Sequence, residues 1–278
     1  MRGSFPSKLS AIVHYAVLIL ASLMVLGPLA WGLSTSLKGP DEVLAFPPTW
    51  IPKRFTLENY SGALASGFKG YFLNSLLVTV GTVALSLFVA AHAAYASARL
   101  SFRGKDTLLF AILGTGMIPA IAILVPLYLL AVSLGLANTY VALILIYAAW
   151  QTPLALWTLR GFFDRVPVEI EEAGLVDGCS RLRAFYLIVM PLTAPGLAAA
   201  GIYIFIETWN EFLIAVSLIT TDDKRLLTVG LYQYVTSFGV EWGLLSAASI
   251  VSVIPVLILF LSMQRLFVSG LTGGAVKG

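Results

Sequence analysis

A single cysteine, Cys179, and two histidines, His14 and His92, stand in a chain of 278 residues. One cysteine excludes an internal disulfide and any multi-cysteine metal centre. The two histidines lie far apart within apolar stretches, so no zinc site is expected. No Gly-rich phosphate loop of the Walker type is present, no paired-histidine metalloprotease motif and no nucleophile elbow. Catalytic residues, a bound metal and a cofactor held by this chain are therefore not expected. Charge is equally scarce: 11% of residues are Asp, Glu, Lys or Arg, against 59% apolar. A soluble domain carries roughly a quarter charged residues, which excludes that class. No basic stripe or aromatic platform lies outside the apolar runs, so nucleic acid is not a partner.

Long apolar runs fill the space that charge vacates. A helix needs about 20 apolar residues to cross the hydrocarbon core of a bilayer. That length predicts an all-α integral membrane protein with six spans, at residues 11–37, 71–98, 107–134, 140–159, 188–220 and 243–268. The first run is too long for the apolar part of a secretory signal and is followed by further spans. Pro28, Pro119, Pro126, Pro153, Pro195 and Pro255 sit in or near spans and mark kinks. Small residues crowd the second span (Ala90 to Ala98) and recur at Ala198–Gly201, which predicts close helix seams. No repeat of convincing length is visible, and residues 1–278 are expected to form one membrane domain.

Lysine and arginine set orientation. With the N-terminus inside, eleven of the 17 basic residues fall on the cytoplasmic side. Both termini are then cytoplasmic. The segment Lys38–Gly70, rich in proline, lies outside and is too short for a domain of its own. Asn59-Tyr60-Ser61 matches a glycosylation sequon.

The strongest interruption by charge is a loop at residues 160–187, between the fourth and fifth spans. Pro167 suits a first helical turn, and Glu169, Glu171 and Glu172 favour its positive end. Asp177-Gly178 is a turn dipeptide, and Ser180 can cap a second helix. The result is a two-helix knob outside the bilayer, shaped for a socket on another protein.

From Glu172-Ala173-Gly174 through Gly178 to Ile188 and Met190-Pro191, this loop resembles the cytoplasmic coupling loop of permease subunits in binding-protein-dependent ABC importers. Gly174 stands where that family usually has a second alanine, and Met190 where it usually has leucine. Val125-Pro126-Leu127-Tyr128, Gly135-Leu136, Asn138-Thr139-Tyr140, Gly161-Phe162-Phe163, Trp209-Asn210-Glu211-Phe212 and the ending Gly270–Gly278 are similar to the carbohydrate branch, in particular the smaller membrane subunit of maltose-type systems. The resemblance implies a location in a bacterial or archaeal cytoplasmic membrane. It implies as partners a second homologous permease, two cytoplasmic ATPases that bind ATP and Mg, and an extracytoplasmic substrate-binding protein. The ATPase-coupling residues would be Glu171, Glu172, Ala173, Gly174, Asp177, Gly178 and Arg181, and the tail at Lys277 and Gly278 would reach the ATPase pair.

Polar residues within spans are candidates for the translocation path: Asn210, Glu211, Trp209, Gln151, Tyr128 and Asn74. Glu207 and Glu211, four apart, would share a helix face, and Trp209 could stack on a sugar ring. Each of these also fits a plain helix-packing role, as does His92. A stand-alone secondary transporter driven by an ion gradient is the alternative function. It would need paired intramembrane charges and preferably internal symmetry.

Overall fold

A computed structural model of the chain describes residues 8–236 and 239–275. Helices dominate, and the strands among the described residues form one short hairpin, β1 (Val235–Thr236) against β2 (Gly239–Val240). Two compact units partition the chain. One comprises the residues up to Phe68 together with Leu231–Ile254, and the other Lys69–Gly230 with the residues from Pro255 onward.

The first unit holds α1 (Lys8–Ser36), α2 (Pro40–Val43), α3 (Glu58–Ala65), the hairpin and the start of α14 (Trp242–Ala275). The last carbonyls of a helix lack intrahelical donors. At the end of α1 the Asn59 amide supplies them, donating to Ser36 O at 3.0 Å and Lys38 O at 2.8 Å. The sequon asparagine is thus buried and bonded inward. The Glu42 carboxylate accepts from the Thr49 hydroxyl at 2.8 Å and the Lys53 amide at 2.9 Å. Lys38 lies over the Trp31 ring, which meets Trp50 edge-on. The proline-rich segment is therefore folded back and fastened.

The second unit runs from α4 (Phe68–Arg99) through α5 (Lys105–Thr115), α6 (Ala120–Ser133) and α7 (Tyr140–Phe163). It continues with α8 (Val168–Val176), α9 (Arg181–Ala184), a π-helical turn at Phe185–Val189 and α10 (Met190–Leu192). Then follow α11 (Ala194–Trp209), α12 (Leu213–Leu218) and α13 (Leu227–Tyr232). Ala90, Ala91 and Ala94 of α4 share a buried core with Ala200 and Ile204 of α11. Leu87 comes within 3.3 Å of where a Cβ on Gly201 would stand. The small residues make the close seam that their spacing predicts, because van der Waals approach drives helix association in lipid.

Among the described residues, four helices are long and apolar enough to cross a bilayer unaided: Ile12–Ser36 within α1, then α4, α7 and Trp242–Gln264 within α14. The third and fifth expected spans are broken. Residues 107–134 form α5 and α6 with a 93° bend between them. Pro119 sits in an extended conformation there, and the residue before a proline is disfavoured as helix. Residues 188–220 are bent by 78° between α10 and α11, at Thr193, which lies between Pro191 and Pro195. The helix then stops at Trp209, with Asn210 as its C-cap. Pro28, Pro153 and Pro255 by contrast lie inside unbroken helices.

Candidate functional site

The knob has an inner and an outer face. In an α-helix successive residues turn by about 100°, so neighbours in sequence look in different directions. Glu171 of α8 turns inward. Its carboxylate meets the Arg99 Nε at 2.8 Å and accepts from the Tyr95 hydroxyl, and both side chains of the ion pair are about nine-tenths buried. Arg99 donates a second bond to Val166 O at 3.0 Å. Gly174 is buried as well, and Ile188 Cδ1 stands 2.4 Å from the position a Cβ would take. Glu171 and Gly174 therefore lie on the side away from solvent, not on the outward surface expected for a docking loop.

Glu172, Ala173, Asp177, Gly178 and Arg181 are exposed. Between them the apolar Val176 (88% exposed) and Leu182 (61%) reach solvent. Local chemistry builds this shape as the residues predict. Gly178 has φ 88°, a conformation open to glycine and strained for other residues. Ser180 caps α9 by accepting from the Arg183 amide at 3.3 Å. The second knob helix runs on without a break through the π turn to Leu192 and then bends by 78° at Thr193 before α11.

The candidate path residues scatter. Asn210 and Tyr128 are exposed, whereas Gln151 and Trp209 are buried. Trp209 stacks on Phe205 with ring centroids 5.6 Å apart and meets Phe72 edge-on at 5.5 Å, so a sugar ring has no open face there. Glu207 is on α11, but Glu211 lies beyond the helix end, and the two share no helix face. The Glu211 carboxylate accepts from the Ile214 and Ala215 amides at 2.9 and 3.1 Å, the free N-terminal donors of α12, and from the Tyr147 hydroxyl. Asn74 donates to Asp223 O at 2.9 Å and Arg225 O at 3.0 Å, holding an interhelical loop. Tyr71 is buried and donates to Asp222 at 3.1 Å. His92 is held between Phe88 O at 2.7 Å and the Tyr186 hydroxyl at 2.9 Å, a packed hydrogen-bonding group. A groove of about 490 Å³ beside α6 and α7 is lined by Ile123, Leu127, Leu145 and Trp150, apolar walls unsuited to a polyhydroxyl ligand.

Sequence reasoning missed Tyr95, Arg99 and Tyr147. In the charge bias Arg99 counts as one of the eleven basic residues on the cytoplasmic side. Its spacing of four from Tyr95 was the available signal, since such pairs share a helix face. Lys277 and Gly278 lie outside the described residues.

Comparison with known proteins gives this geometry a family. The family model described as binding-protein-dependent transport system inner membrane component matches residues 82–273. The sulfoquinovosyl glycerol transport system permease protein SmoH of Agrobacterium fabrum is 38% identical, over 99% of this chain and 95% of its own. The trehalose/maltose transport system permease protein MalG of Thermococcus litoralis is 36% identical, over 94% of each. In fold, the chain matches one from the crystal structure of a bacterial ABC transporter involved in import of the acidic polysaccharide alginate. The TM-score is 0.83 at 24% identity, covering 95% of this chain and 100% of that one. The chain thus belongs to the family of binding-protein-dependent transport system inner membrane components, multi-pass, non-catalytic membrane subunits that work with a binding protein, a partner permease and a separate ATPase.

Proposed function

We propose that the chain is one of two homologous membrane subunits of an ATP-driven importer for a di- or oligosaccharide or a related polyol. The carbohydrate transport named for its relatives supports the substrate class. Each bent helix pair counts as one crossing, which makes six spans in a single membrane domain. The termini and the knob face the cytoplasm, a reading supported by the bias of lysine and arginine. An extracytoplasmic binding protein delivers the sugar, and two cytoplasmic ATPases hold ATP and Mg and close on each other. Their motion enters this chain at the knob and drives alternating access.

The observation that carries this reading is the division of the knob into two faces. Glu172, Ala173, Asp177, Gly178 and Arg181 present charge and apolar surface together, as a docking face requires. Glu171 and Gly174 hold that face from behind. The tail at Lys277 and Gly278 adds a second ATPase contact. Asn210 and Tyr128 are retained as path residues, while Gln151, Trp209, Glu211 and Asn74 support its wall. Family membership removes the ion-gradient alternative, since the family's systems depend on a binding protein.

Charge reversal by Glu172→Lys and a β-branched residue by Gly178→Val test the docking face. Both variants should insert in the membrane at wild-type levels yet lose the ATPase subunits on purification. Retention of the ATPases by both variants would overturn the assignment.

A further inference from the structure

Resting on that reading of the knob, we propose that α4 is the rod that carries knob movement across the membrane, and that Arg99, Glu171 and Tyr95 are the positioning residues that clamp it there. Covalent continuity alone gives the knob a poor lever. Its second helix reaches α11 only through a π turn and a 78° bend. Side chains on one stripe of α4 make a firmer connection. Phe88, His92, Tyr95 and Arg99 follow the spacing of four, three and four that keeps residues on one helix face. Arg99 bonds Glu171 in α8 and Val166 just before it. Tyr95 donates to Glu171 and packs against Phe185 with ring centroids 4.6 Å apart. His92 meets the Tyr186 hydroxyl at 2.9 Å. The stripe thus grips the knob on both sides of its turn.

The opposite end of α4 grips a second segment. Tyr71 bonds Asp222, Asn74 bonds the carbonyls of Asp223 and Arg225, and the Ser75 hydroxyl accepts from the Leu227 amide at 2.7 Å. Both grips lie on one unbroken helix of 32 residues, and Tyr71 and Arg99 are about 42 Å apart along it at 1.5 Å per residue. It contains no proline, whereas α1, α6, α7 and α14 each carry one inside. Kinks arise at proline, at π turns and at glycine or serine pairs; α4 has no proline and no π turn, and its mid-helix Gly81 is packed against Ile144, whose Cδ1 stands 2.8 Å from where a Cβ would be. A displacement of the knob therefore moves the segment 222–227 at the far end of the rod.

Spin labels at the native Cys179 in the knob and at Asp223→Cys report this linkage by electron–electron distance measurement. The sample is the assembled complex with its ATPases, nucleotide-free and trapped with ATP and vanadate. The wild-type clamp should give one narrow distribution that is the same in both states. Glu171→Gln should broaden it and make it shift on trapping, and the charge swap Arg99→Glu with Glu171→Arg should restore the narrow form. Tyr95→Phe, which removes only the hydroxyl, should fall between. A wild-type distance that shifts on trapping, or an unchanged distribution in Glu171→Gln, would overturn the proposal. If the wild-type chain holds no ATPase, the docking reading fails instead, and the nucleotide-free widths of wild type and Glu171→Gln still decide the clamp.

Discussion

Ile188 occupies the space that a side chain at position 174 would need: its Cδ1 stands 2.4 Å from the Cβ position of Gly174. The glycine that departs from the family's usual alanine is matched by an isoleucine packed into the gap. The crowding atom is the end of a flexible side chain, which can turn aside at low cost, against a helix gain from alanine of up to about 1 kcal/mol. Gly174→Ala should therefore leave the thermal midpoint of the detergent-solubilised protein unchanged or raise it slightly. A midpoint lowered by Gly174→Ala and recovered on adding Ile188→Val, which removes the crowding methyl, would show instead that Ile188 cannot give way.

Glu211 serves two structural partners with one carboxylate, the α12 amides and Tyr147. Glu211 stands one residue before the N-cap, Phe212, but bonds the amides a capping side chain would, and losing such bonds costs about 0.5–2 kcal/mol; a buried hydroxyl left without a partner adds about 1–3 kcal/mol. Glu211→Ala should destabilise more than Tyr147→Phe, because the latter leaves the cap in place. The double variant should cost less than the sum, since both changes act through one carboxylate. Thermal midpoints of the four proteins check this. Equal stability throughout, with transport lost in Glu211→Ala, would instead place the carboxylate on the translocation path.

Ser75 accepts the Leu227 amide in a buried setting. Ser75→Ala leaves that amide unpaired, at a cost of about 1–3 kcal/mol. Hydrogen exchange at residues 222–228 should quicken, while exchange in the knob stays as in the wild type.

Glu42 carries a pH dependence. The Lys53 backbone amide holds its carboxyl below the usual carboxylate range, helped by the Thr49 hydroxyl, the Arg54 amide and the charge of Lys38. A carboxyl with a depressed folded-state pKa contributes stability above its unfolded pKa and loses it as pH falls through the folded value. Acidification from the ordinary carboxylate value downward should therefore loosen residues 42–53. Exchange of the Lys53 amide, compared at each pH with Glu42→Gln, should rise toward the variant's level. A constant ratio between the two proteins would contradict this.

Local chemistry was legible in the residues. Hydropathy over lengths of about 20 residues marked the helices, and backbone preference marked the Gly178 turn and the Ser180 cap. Proline was an ambiguous signal: Pro28, Pro153 and Pro255 ride inside helices, whereas Pro119, Pro191 and Pro195 border breaks. A proline inside a helix removes one hydrogen bond, whereas one in the first turn, as Pro195 is, removes none. Whether the helix survives depends on the groups packed around it.

The sequence by itself determined that this chain is helical and membrane-embedded, and that a charged two-helix knob interrupts it. Those properties follow from transfer free energy and local backbone preference, which act within a few residues. Only the tertiary structure decided that Glu171 faces Arg99 while its neighbour Glu172 faces out. It likewise assigned Glu211 to Tyr147, 64 residues away, not to a face shared with Glu207. The phase of a helix against its neighbours, and the partner found by a buried charge, are set by contacts 70 or so residues away (72 between Arg99 and Glu171). No local pattern encodes them.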